Sequence, residues 1–230
     1  MATNRISMRL FIVGATGGVG RVLVDQALAR GHHVTAFVRS PQKIDTTRDG
    51  LTVIAGDPRD GDALRAALPG HQAVLSALGP PGPGRTTIVG DGARSLVPAM
   101  LAAGVPRLLI VGVAVLFDHI GPLATVMRRT LLRNVARDSA EMERIVTASA
   151  LDWTIARPPR LTNGPLTGGY KVADDDLPGG AGLNASVSRA DVAHFLLEEL
   201  AHPAHLRRIV GVAYTRPPRA AAGAQMRAPA

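Results

Sequence analysis

The feature that most constrains this chain is a glycine-rich turn between an apolar run and a helical pattern. Gly14, Gly17 and Gly20 follow a G-x-x-G-x-x-G spacing. Residues 10–13 before the turn predict a buried strand, and residues 19–30 after it predict a helix with an apolar face. In a strand–turn–helix unit of this kind, backbone N–H groups at the start of the helix face a pyrophosphate. The alternative is a turn that only packs the helix closely against the sheet.

Length and composition exclude several classes of protein. The 230 residues suffice for one α/β domain with a sizeable core. Cysteine is absent, which excludes disulfides, thiolate catalysis and Cys-ligated metals, so we expect no metal site. No apolar run approaches the roughly 20 residues of a membrane-spanning helix, and the first residues lack a signal-peptide core. We therefore expect a cytoplasmic protein without a membrane partner.

The net charge of +8 comes almost entirely from arginine, since Lys43 and Lys171 are the only lysines. A basic chain could bind nucleic acid. The arginines are scattered, however, and aromatic residues make up only 3% of the chain, so stacking platforms are scarce. The composition favours a protein without a nucleic-acid partner, in which one or two arginine sites hold phosphates.

The rest of the chain alternates predicted strands with predicted helices. Further strands are predicted at residues 33–38, 51–56, 73–77, 107–113, 153–156, 169–172 and 208–213. Further helices are predicted at residues 60–68, 87–103 and about 122–135. Two more are predicted to begin at a cap residue: one at Asp138 or Ser139, ending at about residue 148, and one at Ser188, ending at about residue 200. This alternation predicts an α/β fold, a single Rossmann-type doubly wound parallel sheet with helices on both faces.

No linker divides the chain, which predicts one domain over residues 1–213 with a small C-terminal substrate lobe. Residues 114–136 are predicted to contain a loop or lid, and residues 161–168 a loop. The composition of residues 214–230 predicts a disordered tail.

Two predicted strand ends carry residues suited to a dinucleotide. The second strand ends in Arg39 and Ser40, about 20 residues past the glycines, where an acidic residue would accept from the ribose of NAD. Arg39 is instead a forked cation suited to a 2′-phosphate, so the sequence favours NADP (NADPH), the alternative being a solvated arginine. Asp57 closes the third strand, where it either faces the adenine or forms a turn.

Four stretches together resemble the atypical short-chain dehydrogenase/reductase group that contains NmrA-like proteins and biliverdin-IXβ reductase (flavin reductase). They are residues 14–20, 76–79, 92–100 and 151–168, the last being the most specific, with Trp-Thr-Ile-Ala-Arg-Pro-Pro-Arg at its centre. The resemblance spans roughly residues 8–213. It implies an NAD(P)-binding protein with a small-molecule substrate, acting as a monomer or a small homo-oligomer.

The resemblance also implies particular cofactor and substrate contacts. By this resemblance, the pyrophosphate is bound by Gly14, Thr16, Gly17, Gly18, Val19 and Gly20, and the 2′-phosphate by Arg39 and Ser40. Asp57 lies at the adenine, and Ser76, Ala77, Leu78 and Gly79 lie under the ribose. Pro158 and Pro159 lie beside the nicotinamide, and Val111 and Gly112 also contact the cofactor. The implied substrate pocket contains Val113, Phe117, His119 and Arg160.

The chain departs from the family pattern at the reacting centre. The wider dehydrogenase family uses a Tyr-x-x-x-Lys pair, but Tyr170 and Tyr214 are followed four residues later by Asp and Pro. Gly112 stands where biliverdin-IXβ reductase has a serine late in the fifth strand. His119 and Arg160 remain as weak candidates for a catalytic role, with a solvated histidine and an ion-paired arginine as the alternatives.

Three functions fit this pattern. The first is an oxidoreductase, an NADPH-dependent reductase of a planar conjugated acceptor such as a flavin or a quinone, because such acceptors delocalise charge and can take their proton from water. The second is an NmrA-like sensor that binds NADP without redox work. The third is an isomerase, cyclase or dehydratase of specialised metabolism on the same fold.

Overall fold

The computed structural model describes residues 7–80, 82, 84–118, 122–181 and 185–215 of the chain. His119 and the predicted tail from residue 216 onward lie outside these ranges. The strands are β1 (Arg9–Val13), β2 (His33–Val38), β3 (Leu51–Ala55), β4 (Ala73–Ser76), β5 (Arg107–Val111), β6 (Asp152–Arg157), β7 (Arg160–Thr162), β8 (Lys171–Asp174), β9 (Ser186–Ser188) and β10 (Arg208–Ala213). The helices are α1 (Gly18–Ala29), α2 (Gly61–Ala67), α3 (Ile88–Ala103), α4 (Pro122–Arg129), α5 (Arg133–Thr147) and α6 (Arg189–Ala201).

Eight strands form one sheet in the order β3-β2-β1-β4-β5-β6-β10-β8. Every pairing in it is parallel except that between β10 and β8, which is antiparallel and forms one edge. The predicted doubly wound Rossmann-type sheet is therefore confirmed, with a single antiparallel edge strand that the sequence pattern did not predict. The short strands β7 and β9 form a separate parallel pair.

Two apolar cores cover the two faces of the sheet. The strand β1 shows why, because all of residues 10–13 are buried and alternate residues enter opposite cores. Leu10 and Ile12 pack with α1 and α6, while Phe11 and Val13 pack with α2, α3 and α5. This arrangement fixes both α1 and α6 on one side of the sheet.

The helix cap predicted at Asp138 or Ser139 is wrong. The helix α5 begins five residues earlier, at Arg133, so both residues lie within it and are buried. The Asp138 carboxylate instead accepts hydrogen bonds from the backbone N–H groups of Val89 (3.2 Å) and Gly90 (2.8 Å). It therefore caps α3, whose own cap residue Thr87 makes no side-chain hydrogen bond to the backbone N–H groups of the first turn.

Other predicted boundaries also change. The helix predicted over residues 122–135 is two helices, because α4 ends in a turn in which Leu132 N–H donates to the Met127 carbonyl (2.8 Å) before α5 begins. The fifth strand ends at Val111 rather than Val113. The first two residues of the loop predicted at residues 161–168 belong to the strand β7. The sequence pattern predicts neither β7 nor its partner β9, because strands of three residues are too short to show a period. In the described part of the chain, no helix has the length and apolar character needed to cross a membrane.

Candidate functional site

The candidate site lies where the order of the strands reverses. The chain leaves β1 towards β2 and β3 on one side, and β4 returns to the other side of β1. Gly14 follows β1 and Ala77 follows β4, so the two segments diverge from adjacent strands at the carboxyl edge of the sheet. In open α/β sheets, ligands bind in the crevice at this switch point.

The glycine turn permits an unusually close approach of backbone segments here. Gly14 has a φ of +79°, and a Cβ on it would lie 2.7 Å from the carbonyl carbon and oxygen of Ala77. A Cβ on Gly20 would collide with the carbonyl oxygen of Gly14. Side chains at these two positions would therefore fill the space in which helix, strand and neighbouring loop meet.

The first turn of α1 has the chemical character that an anion requires. Its cap residue, Gly17, supplies no side-chain hydrogen bond, and no acidic residue occupies the first turn. The backbone N–H groups there have no intrahelical partner, and the helix dipole places positive charge at this end. The residues present therefore fit a pyrophosphate group, as the glycine spacing predicts.

A crevice of about 230 Å³ opens beside this turn. Its lining comes from the ends of β1, β2 and β4 and from the start of α3: Gly14, Thr16, Gly17, Phe37, Val38, Arg39, Ser40, Lys43, Pro58, Ala77, Leu78, Gly79, Pro80 and Ile88. Three stretches predicted separately from the sequence thus meet at one cavity. Its polar side chains are hydroxyls and cations, with no carboxylate or histidine among these lining residues.

Arg39, Ser40 and Lys43 form the cationic end of the crevice. Arg39 is exposed directly after β2, and Lys43 ends the short 3₁₀ turn that follows it. Sequence analysis missed Lys43 as a site residue. Its spacing of four residues from Arg39, across a turn started by Pro41, is the signal that could have indicated it.

Asp57 lies at the neighbouring strand end and is engaged in a turn. Its carboxylate accepts from the Arg59 backbone N–H (2.9 Å) and from the Arg59 side chain at Nε (3.0 Å) and Nη2 (2.6 Å). These hydrogen bonds, with a smaller contribution from Arg39, lower the pKa of Asp57 to about 2. The next residue, Pro58, lines the crevice. The geometry supports the turn role of Asp57, and its contact with adenine stays a prediction.

Ser76 differs from the rest of its predicted segment. Ala77, Leu78 and Gly79 line the crevice, whereas Ser76 is fully buried within β4. Its hydroxyl has no hydrogen-bond partner among the described residues. Ser76 therefore lies beneath the crevice floor rather than on it.

Gly112, which follows β5, lies beside a buried ion pair between Glu143 and Arg157. A Cβ on Gly112 would lie 3.1 Å from Glu143 Oε1 and 3.5 Å from Arg157 Cγ. Arg157 binds Glu143 through two hydrogen bonds, with Nε at 2.9 Å from Oε1 and Nη2 on Oε2. The Arg157 guanidinium also lies 4.6 Å from the centroid of the Phe117 ring. Both oxygens of the carboxylate nearest to position 112 are therefore committed to Arg157.

The other predicted residues of this region occupy different environments. Pro158 is buried and Pro159 half-buried directly after β6, while Val111 and Val113 are half-buried on either side of Gly112. Arg160 is exposed at the start of β7.

Both tyrosines serve structural contacts. The Tyr170 hydroxyl lies 2.9 Å from His194 Nδ1, and burial is the main cause that raises the Tyr170 pKa to about 12. The Tyr214 hydroxyl donates to the buried carboxylate of Asp191. Neither residue lines the crevice, so neither replaces the missing catalytic pair there.

A larger groove of about 660 Å³ lies between α3 and α5, on the other side of the first turn of α3. Five arginines line it: Arg85, Arg94, Arg133, Arg137 and Arg144. Glu141 binds both Arg94 (2.9 Å) and Arg144 (2.8 Å), which neutralises part of this charge. The groove shares no residue with the glycine-turn crevice.

Comparison with known proteins points to the same ligand class. The model of a family described as NAD(P)H-binding matches residues 14–203. A UPF0659 protein of Saccharomyces cerevisiae is 30% identical, over 85% of this chain and 88% of its own. A 3-diazoavenalumate denitrifying reductase of a Streptomyces species is also 30% identical, over 77% of this chain and 67% of its own. An uncharacterised sugar epimerase of Bacillus subtilis is 28% identical, over 84% of this chain and 88% of its own.

Solved structures share the fold. A short-chain dehydrogenase/reductase of Veillonella parvula in complex with NADP matches with a TM-score of 0.74 and 22% identity, over 90% of this chain and 94% of its own. The anaerobillin reductase ChuY of Escherichia coli O157:H7 matches with a TM-score of 0.72 and 24% identity, over 89% of this chain and 96% of its own. At these identities, the likeness establishes the architecture and leaves the chemistry to the residues of each site.

Proposed function

This chain belongs to the NAD(P)H-binding family, and from that premise we propose that it is an NADPH-dependent reductase of a planar conjugated acceptor such as a flavin or a quinone. The observation that carries the proposal is the crevice at the switch point, with a glycine turn at its centre and Arg39, Ser40 and Lys43 at one end. The reductase names among its relatives and neighbours support the redox part.

The cationic end supports NADP over NAD. A 2′-phosphate carries negative charge and three acceptor oxygens, which suit a forked guanidinium, a hydroxyl and an ammonium held together. An acidic residue at the end of β2, which would bind the ribose hydroxyls of NAD, is absent because Arg39 stands there. The neighbour solved with NADP supports the same preference.

The lack of a free acid in the crevice supports a conjugated acceptor. The bound cofactor would supply a hydride, and the chain's own residues would hold the two rings against each other. Reduction of an isolated ketone needs a proton donor beside the developing alkoxide. The described lining of the crevice contains no carboxylic acid, histidine or tyrosine, its one lysine (Lys43) is assigned to the 2′-phosphate with Arg39, and Glu143 is held by Arg157. A conjugated acceptor spreads the charge and can take its proton from water.

The experiment is NADPH oxidation by the purified chain with riboflavin, FMN and several quinones, followed at 340 nm beside NADH. The proposal predicts turnover of at least one acceptor with a clear preference for NADPH. The matched variant is Arg39→Gln, which should lose the preference for NADPH and keep turnover at saturating cofactor. Absence of turnover across the whole acceptor panel would refute the reductase function.

An NADP-binding sensor is the second candidate, because Gly112 replaces the serine of biliverdin-IXβ reductase and Arg157 engages the Glu143 carboxylate, so neither of these described positions offers a free reacting group. Tight NADP binding without turnover of any acceptor would favour the sensor. A non-redox enzyme of specialised metabolism stays a third possibility, in keeping with the epimerase name of one relative. It would form product from a sugar-like or similar substrate with no net consumption of NADPH.

A further inference from the structure

An arginine from the start of α6 lies across the glycine turn. Arg189 is the first residue of α6, and its side chain reaches Gly18, the first residue of α1. A Cβ placed on Gly18 would lie 2.5 Å from Arg189 Nε, 2.8 Å from Cδ and 3.5 Å from Cζ. Gly17, the residue before Gly18, lines the cofactor crevice. The guanidinium group is therefore next to the crevice, at the positive end of α1.

The position of Arg189 is electrostatically unfavourable unless an anion lies beside it. A cation at a helix N-terminus faces the positive end of the dipole, where negative charge is stabilising. No acidic residue in the first turn of α1 compensates for it. Among the described residues, Arg189 forms no ion pair, and its hydrogen-bond partner is the neutral Asn163 Oδ1 at 2.6 Å. Protein groups thus leave its charge uncompensated at an anion-binding helix end.

The backbone that carries Arg189 is fixed relative to α1. Gln26 of α1 donates from Nε2 to the carbonyl of Ala190, the residue after Arg189, at 2.9 Å. At the other end of α1, Arg30, the residue directly after the helix, forms an ion pair with Glu198 of α6 at 2.8 Å. The start of α6 is also held by its cap, since the Ser188 hydroxyl accepts from the backbone N–H of Asp191 (2.9 Å). The reach of Arg189 over Gly18 therefore follows from helix packing.

We propose that Arg189 is a pyrophosphate-binding residue of this chain. Its guanidinium and the N–H groups of the first turn of α1 hold the dinucleotide's pyrophosphate from two sides, and Asn163 orients the side chain. The inference rests on the proposed function, since it requires a dinucleotide in the crevice. It adds a cation supplied by α6, so cofactor binding couples the start of α6 to the glycine turn.

The two arginines at the site then read different parts of the cofactor. Arg39 contacts the 2′-phosphate, which NADP has and NAD lacks. Arg189 contacts the pyrophosphate, which both cofactors carry and which 2′-AMP lacks. Loss of Arg189 should therefore weaken NADP and NAD alike and leave 2′-AMP unaffected, whereas loss of Arg39 should weaken NADP and 2′-AMP and leave NAD unaffected.

The test is calorimetric titration of the full chain with NADP⁺, NAD⁺ and 2′-AMP. Arg189→Gln should weaken NADP⁺ and NAD⁺ by about tenfold each, the effect of one charge-assisted hydrogen-bonding group. Arg189→Lys should restore part of the affinity, because lysine keeps the charge and loses the planar fork. Arg208→Gln, at an exposed arginine at the start of β10, is the matched control and should bind all three ligands as the wild type does.

The outcomes separate the two claims. Unchanged NADP⁺ and NAD⁺ binding by Arg189→Gln overturns the assignment of Arg189 and leaves the proposed function standing. An equal loss of 2′-AMP binding overturns it too, because the substitution would then act through the fold. Wild-type protein that binds neither dinucleotide overturns the proposed function and this inference together.

Discussion

The buried carboxylate of Asp191 should be one of the largest single contributors to the stability of the fold around α6. It is fully buried and accepts from the Thr167 backbone N–H (2.9 Å), the Thr167 hydroxyl (2.7 Å), the Gly168 N–H (2.8 Å) and the Tyr214 hydroxyl. Tyr214 in turn accepts from the Ser188 N–H at 3.2 Å. Asp191 thus ties α6 to the loop after β7 and to the residue after β10.

The magnitude for Asp191→Ala follows from which donors lose their acceptor inside the protein. A hydrogen bond to a charged group contributes about 1.5–3 kcal/mol, and an unsatisfied buried group costs about 1–3 kcal/mol. Thr167 and Gly168 are exposed, so water replaces most of their loss, whereas the Tyr214 side chain is buried. We therefore expect a loss of about 3–5 kcal/mol in the free energy of unfolding, close to the range for breaking a buried charged network.

The assay is urea unfolding of the wild type, Asp191→Ala, Tyr214→Phe and the double variant. Tyr214→Phe keeps the ring and should cost about 2 kcal/mol. Because the two residues share a hydrogen bond, the double variant should lose at least about 1 kcal/mol less than the sum of the single losses. A loss below about 1 kcal/mol for Asp191→Ala, or an additive cycle, would refute this reasoning.

The same carboxylate predicts a pH dependence. Burial raises the pKa of Asp191, but hydrogen bonds from Tyr214, Thr167 and Gly168 outweigh it and lower the pKa below its ordinary value. A lowered pKa gives stability that is complete above the ordinary carboxyl pKa of about 4 and is lost as the pH falls through the lowered value. The difference in unfolding free energy between wild type and Asp191→Ala should therefore stay constant from about pH 6 to pH 8 and shrink in acid.

Three further substitutions test other parts of the structure. Gly20→Ala places a methyl group against the Gly14 carbonyl and should abolish dinucleotide binding measured by calorimetry, with about 1–3 kcal/mol lost in urea unfolding. Asp138→Ala uncaps α3 and should cost about 1–2 kcal/mol in the same assay, while Asp138→Asn, which keeps an acceptor, should cost less. Glu143→Gln removes the charge of a buried carboxylate paired with Arg157 and should cost about 3 kcal/mol, whereas Glu141→Gln, at a carboxylate about one third exposed, should cost clearly less; equal losses would contradict the burial argument.

The sheet and the cofactor turn could be predicted from the sequence because local patterns encode them. The apolar residues 10–13 and the glycine spacing after them fix a strand, a turn and a helix within 20 residues. Arg39 could be placed at the crevice because its strand ends at the same edge as that turn. The cap at Asp60, whose carboxylate accepts from the N–H groups of Asp62 and Ala63 (both 3.0 Å), is a similar local signal.

Contacts between distant segments could not be predicted in this way. Asp138 resembles a cap of its own helix, but its carboxylate accepts hydrogen bonds from backbone N–H groups at the start of α3, nearly 50 residues earlier in the chain. Arg189 and Gly18 are brought together only by the packing of α1 on α6. The strands β7 and β9 are three residues each, too short to show a period, and they pair across a segment of the chain that contains β8. Each of these features depends on tertiary structure that one sequence does not specify locally.

If the crevice at the switch point binds NADP and Arg39 contacts its 2′-phosphate, the charge at position 39 decides which dinucleotide the protein prefers. The most direct measurement is the ratio of the NAD⁺ and NADP⁺ dissociation constants for the wild type and for Arg39→Asp. The wild type should bind NADP⁺ at least about tenfold more tightly than NAD⁺, and Arg39→Asp should weaken NADP⁺ binding by roughly 100-fold or more while NAD⁺ binding changes little. An unchanged ratio in Arg39→Asp would contradict this contact.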